Sequence, residues 1–164
     1  MAGDIEIVGI RTRFADPKAA LKDLQAFARS CGGWAQLLDA GHVVGRDHIT
    51  SAHEHARRAI ERGTNATGSI EMELLLYASG ERQISRAIER MGVRAGRPSV
   101  AVLGGGVSLD DVRSRFGWTT DDSLLRPTRV KLRALGCSDT EIRTAGNRAV
   151  DMALERVARV DLVK

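Results

Sequence analysis

Apolar positions in this chain change period several times, and each change marks an element. Ile5 and Ile7 alternate and Ile10 follows Gly9 out of phase, so residues 5–13 read as a strand with a bend at the glycine. Asp16-Pro17 then opens a helix. The aspartate can accept a backbone N–H, proline loses nothing at the first helical position, and Ala20, Leu21, Leu24, Phe27 and Ala28 share one face before Gly32-Gly33. Residues 34–38 are too short an apolar run for a helix and read as a second strand, followed by a turn over 39–46. Asp47 is expected to cap the next helix, with Ile49, Ala52, Ala56, Ala59 and Ile60 inward, Arg57, Arg58 and Arg62 outward, and Gly63 as its stop.

Ser69 caps residues 70–78, which are apolar almost all round, so this helix belongs at the centre of a core. Glu73 inside it needs a partner, because an unpaired buried charge is costly; pairing with Arg82, or capping of the following helix, is expected. Residues 81–91 form a further helix with Ile84, Ala87, Ile88 and Met91 on one face and Arg82, Arg86 and Arg90 on the other; Arg94 and Arg97 follow Gly92. Residues 99–103 form a strand ending in Gly104-Gly105-Gly106. Ser108 and Asp111 then open a helix to Phe116, residues 117–128 read as a surface loop, and a short helix reaches Leu135. Ser138 and Glu141 form a capping box for a last helix carrying Ile142, Ala145, Ala149, Val150, Ala153, Leu154 and Val157. Alternation of Ala158, Val160 and Leu162 predicts a closing strand. The order predicts an α/β chain of α+β type, one domain over residues 1–164 with a small mixed sheet packed against several helices.

The length of 164 residues and a hydrophobic fraction of 43% suit one such core. No apolar run is long enough to span a bilayer, so no membrane partner is expected. Asp4 and Glu6 near the start, without an apolar leader pattern, point to a cytoplasmic location. Cys31 and Cys137 have no CxxC partner and read as free thiols. The net charge of +4 is carried by 21 arginines against 4 lysines, and arginine offers phosphate a planar fork of donors. With only six aromatic residues, a broad stacking platform for single strands is disfavoured.

Candidate chemistry is sparse. His48, His53 and His55 lack the i, i+4 spacing of a helical two-ligand site, so no metal is expected. The triple glycine lacks both GxGxxG and GK[ST], and Asp110 and Asp111 would repel a phosphate there. Asp121-Asp122 reads as a solvated loop, and no serine sits in a GxSxG elbow. No catalytic residue and no cofactor follow. An enzyme binding a phosphorylated small molecule at the glycine turn is one alternative. Another is a helix–turn–helix-like regulator over residues 69–91, although the short turn and apolar first helix argue against DNA as a partner. The informative surface feature is the row Arg82, Arg86, Arg90, whose like charges repel at that spacing.

The run Met72-Glu73-Leu74-Leu75-Leu76-Tyr77-Ala78-Ser79-Gly80-Glu81-Arg82-Gln83-Ile84, with Ala87-Ile88 and Gly92 after it, resembles the hallmark of the kinase-binding small subunit of the KEOPS complex. Leu37-Leu38-Asp39-Ala40 followed by His48, Ala52 and Ala56, and Asp121-Asp122-Ser123-Leu124-Leu125, are similar to further segments of archaeal members. The resemblance covers nearly the whole chain and departs at Gly104-Gly105-Gly106 and around residues 126–137. It implies a non-enzyme within the machinery that makes threonylcarbamoyladenosine in tRNA. Its implied partners are the kinase/ATPase subunit and the single-stranded 3′ CCA end of tRNA. Carried onto this chain, the resemblance nominates Gly80, Arg82 and Gln83 for tRNA; charge and placement add Arg86 and His48. Because the family docks its kinase through the terminal helix, Val150, Leu154 and Val157 are the candidates for that contact. A kinase-docking scaffold without its own tRNA site is the alternative.

Overall fold

The computed structural model describes residues 4–163, the side chain of Val163 excepted. The chain divides into two compact units, each discontinuous in sequence: residues 4–40 with 93–125, and residues 41–92 with 126–163. The class is α+β.

The first unit holds the sheet. Strands β1 (Ile5–Ile10), β2 (Trp34–Asp39) and β3 (Ser99–Gly104) lie in the order β1-β3-β2, and both pairings are antiparallel. β1 and β2 therefore run the same way with β3 between them, and no parallel pair forms among the described residues. All six residues of β3 are buried, as expected of a central strand whose sequence is a continuous apolar run. One sheet face, carrying Val8, Ile10, Ala35, Leu37, Ala101 and Leu103, shares a core with Leu24 and Ala28 of helix α1 (Pro17–Ser30) and Val112 of α5 (Leu109–Phe116). α1 starts as its sequence dictates, with the Asp16 carboxylate accepting from Ala19 N–H at 3.1 Å.

Two expectations in this unit change. β1 keeps regular register through Gly9. The glycine is needed for another reason: a Cβ there would lie 2.0 Å from the Asp121 carbonyl oxygen. Residues 117–128 are also more than a surface loop. Arg11 N–H donates to the Thr119 carbonyl at 2.8 Å, Asp121 N–H to the Gly9 carbonyl at 2.8 Å, and Asp122–Leu125 form a 3-10 turn that buries Leu125. Trp118 stacks on Phe116 at 4.7 Å and meets Phe14 edge-on at 5.0 Å, so aromatic packing holds a segment without periodicity.

The second unit is helical. α3 (Ile70–Ser79) packs against α2 (Arg46–Arg62), α4 (Ile84–Met91) and α8 (Val150–Val163), which explains why its sequence is apolar on every side. α2 begins before Asp47: Gly45 is the cap, and Asp47 sits in the first turn, where its charge suits the helix dipole. Ile60, expected inward, is 40% exposed. α4 starts three residues later than its arginine spacing suggested, and Ala87 and Met91 alone are buried in it; Ile84 and Ile88 are 40% and 50% exposed.

The predicted last helix is two helices. After α6 (Arg129–Ala134), α7 (Asp139–Ala145) opens with the Ser138–Glu141 capping box. It ends at Gly146, where φ is 58° and ψ −125°, and α8 follows. The predicted closing strand does not form. Residues 158–163 stay helical because Ala153, Val157 and Val160 lie on one buried stripe, a spacing that fits a helix as well as Ala158-Val160-Leu162 fits a strand.

Candidate functional site

The candidate surface of the helical unit is built at the end of α3. Gly80, at φ 73°, closes the helix in the left-handed region: its N–H bonds the Tyr77 carbonyl at 3.2 Å, and Glu81 N–H bonds the Leu76 carbonyl at 3.3 Å. This Schellman arrangement satisfies two of the carbonyls that a helix end leaves open. A third, that of Ala78, accepts from His48 Nε2 at 2.8 Å, while Val44 N–H donates to His48 Nδ1 at 2.9 Å. The imidazole is wholly buried, and loss of hydration holds it at a pKa of about 4, so it is neutral with its proton on Nε2. His48, nominated as a ligand contact, thus presents no surface; it braces the end of α3 from within.

Beyond Gly80 the backbone is extended at Gln83 before α4 begins. Arg82, Gln83, Ile84, Ser85 and Arg86 are all exposed. Arg82 and Arg86 make no ion pair among the described residues, and the Gln83 side chain, although at the N-cap, makes no capping bond. Arg90 differs from its neighbours: it pairs with Glu81 at 3.2 Å and donates to the Ala134 carbonyl at 3.3 Å. In the sheet unit, Arg94 and Arg97 are held by the buried Asp39 carboxylate at 3.1 and 3.5 Å. The arginine row therefore sorts into held and free members. Of the free ones, Arg86 lines a shallow polar cavity of about 510 Å³ together with Glu89, Arg90, Glu81 and His42.

Glu73 finds neither of its expected partners. Fully buried, it accepts from Ala66 N–H at 2.9 Å, Thr67 N–H at 3.0 Å and the Thr67 hydroxyl at 2.5 Å, and so clasps the loop that precedes α3. Hydrogen bonds to its carboxyl oxygens are what make such a burial tolerable. Arg82 is left free as a result.

On α8, Val157 is fully buried, Val150 and Leu154 are half-buried, and Leu162 is 82% exposed. The outer stripe is thus half-buried Leu154 with exposed Ala158 and Leu162, spaced by one helical turn; the last two were masked in the sequence by their strand-like alternation. Asp161 on the same helix accepts from the Tyr77 hydroxyl and meets His55 Nδ1 at 2.6 Å, tying α8 to α3 and α2. Burial, assisted by that carboxylate, raises the Tyr77 pKa. Among the described residues no group of three His, Cys, Asp or Glu side chains is placed to hold a metal ion.

Comparison with known proteins adds two findings. The model of the family described as kinase binding protein CGI-121 matches residues 19–127. The regulatory protein Cgi121 of Methanocaldococcus jannaschii is 30% identical over 129 residues, which is 79% of this chain and 84% of that protein.

Proposed function

The chain belongs to the CGI-121 family of kinase-binding proteins, and from that premise we propose that it is a non-catalytic regulatory subunit of a KEOPS-type tRNA-modifying complex. In this role it docks the kinase/ATPase subunit through α8 and holds the single-stranded 3′ CCA end of tRNA at the start of α4. The observation that carries the tRNA assignment is the cluster of uncommitted side chains at Arg82, Gln83 and Arg86, presented next to the half-exposed Ile84 and Ile88. Guanidinium groups suit the terminal phosphates, the Gln83 amide suits a base edge, and the two isoleucines offer an apolar ledge to unstacked bases. Gly80 sets the direction in which this segment leaves α3, and His48 fixes the Ala78 carbonyl two residues before it. The kinase contact is supported by the apolar stripe Leu154, Ala158, Leu162, with Val150 at its start.

The test compares binding of one tRNA with and without its 3′ CCA at fixed near-physiological salt. Loss of affinity on truncation is expected, and Arg82→Ala and Arg86→Ala should each lower the slope of log K against log salt by about 0.7, the value for one single-strand phosphate contact. Equal binding of both RNAs, or none, would remove the tRNA site and leave a kinase-docking scaffold.

A further inference from the structure

The helical unit contains a second concave site that shares no lining residue with the cavity at Arg86 and whose lining, Pro127 apart, lies C-terminal to the family-matched segment. A cavity of about 420 Å³ opens between α6, α7 and the start of α8, a volume in the range of small-ligand sites. Leu132 and Ile142, both buried, form its apolar floor, and Ala149 and Val150 line it further. Arg129 and Arg143 also line it, and these two arginines with Ile142 are shared with an adjoining cleft of about 290 Å³ that contains Arg133 and Asp139. The two cations therefore stand where the apolar space meets the polar one.

Their charges are uncompensated. Asp139 is the acidic residue lining the cleft, and it is taken by Arg133 at 2.6 Å. Arg129 and Arg143 are exposed and make no ion pair among the described residues. A space with an apolar floor on one side and two free guanidiniums at its mouth matches a molecule divided the same way. We propose that this cavity binds a small amphiphilic anion, a compact ring system or short acyl chain carrying one carboxylate or phosphate head. The body fills the space over Leu132 and Ile142, and the head takes the forked donors of Arg129 and Arg143. The assignment does not rest on the tRNA role, and the cavity shares only Val150 with the proposed kinase-docking stripe of α8.

The test uses the full-length protein and 8-anilinonaphthalene-1-sulfonate, an amphiphilic anion that fluoresces on entering apolar surroundings. Decanoate should displace it, whereas inorganic phosphate (head alone) and decanol (body alone) should each be at least about tenfold weaker, as expected when a charged hydrogen bond and apolar burial are both required. Arg129→Gln and Arg143→Gln alter only exposed side chains. Each should weaken decanoate by about tenfold with unchanged thermal melting. Ala149→Phe, which fills the cavity without changing charge, should abolish displacement. Amide chemical-shift changes on adding decanoate should centre on residues 127–150. Displacement equal for decanoate and decanol, insensitivity to both arginine variants, shift changes centred elsewhere, or no binding at millimolar probe would each overturn the assignment. A short apolar peptide with a free C-terminal carboxylate is the remaining arm, and its binding where decanoate fails would overturn the small-molecule assignment in favour of a protein segment.

Discussion

Acidification should destabilise the helical unit through a single buried imidazole. His48 is unexposed, both ring nitrogens are bonded within the protein, and burial lowers its pKa from 6.5 to about 4. Between those values the unfolded chain binds a proton that the folded state refuses, so stability falls as pH drops from 6.5 towards 4 and this contribution levels off below. At ~1.4 kcal/mol per pKa unit, the difference between 6.5 and about 4 amounts to roughly 3–4 kcal/mol, a large part of the ~5–15 kcal/mol that holds an ordinary domain together. His53, also lowered chiefly by burial, pulls in the same direction, so the contribution is isolated by difference. Urea unfolding followed by helical circular dichroism, from about pH 7.5 to about pH 4, should show a steeper loss in the native protein than in His48→Gln. The variant itself should be weaker at neutral pH by about 1–3 kcal/mol, because Val44 N–H and the Ala78 carbonyl lose an aligned partner. A His48 ring proton that titrates near 6.5 in the folded protein, or identical pH slopes in the two proteins, would refute the reasoning.

Glu73→Ala should cost roughly 2 kcal/mol and speed hydrogen exchange at the amides of Ala66 and Thr67, which the carboxylate now holds; unchanged exchange at both would show that the clasp is idle. Leu162→Arg should remove co-purification with the kinase subunit without lowering the melting temperature, since Leu162 is 82% exposed; retained co-purification would take α8's outer stripe out of the docking surface.

Elements with a strong local signal were legible in the sequence. α1, α3, α5 and α7 start at Asp16, Ser69, Ser108 and Ser138, and each side chain caps the backbone as its position implies. What failed were judgements that depend on a neighbour. Ile60, Ile84 and Ile88 share the period of a buried face, yet short α4 covers little more than Ala87 and Met91, and periodicity says which residues align, not how wide the covered stripe is. Residues 158–163 satisfy two periods at once, and the choice was made by α8 packing on α2 and α3. Glu73 and Arg82 looked complementary because both were orphaned in sequence; the backbone of residues 66–67 took the first, and backbone amides carry no sequence signature.

The arginine row shows the same principle acting on the candidate site. Arg82, Arg86 and Arg90 recur at equal spacing, and nothing in the sequence distinguishes them. Glu81, although adjacent to Arg82, turns to Arg90, and a guanidinium held by a carboxylate and a carbonyl has fewer free donors and a partly cancelled field. Arg82 and Arg86 keep theirs. The segment that carries them leaves α3 through Gly80, two residues after the carbonyl that His48 holds. A residue can therefore govern this surface without being part of it. If the imidazole is replaced, the Ala78 carbonyl loses its bond; if it is charged, Nδ1 can no longer accept from Val44 N–H and the ring cannot stay in its dry site. Either way the last turn of α3 loosens, and the exposed run beyond it loses its fixed direction. Ligand affinity at Arg82 and Gln83 should then decline only as pH falls through about 4, where the folded imidazole itself takes the proton, although neither of those side chains changes charge there.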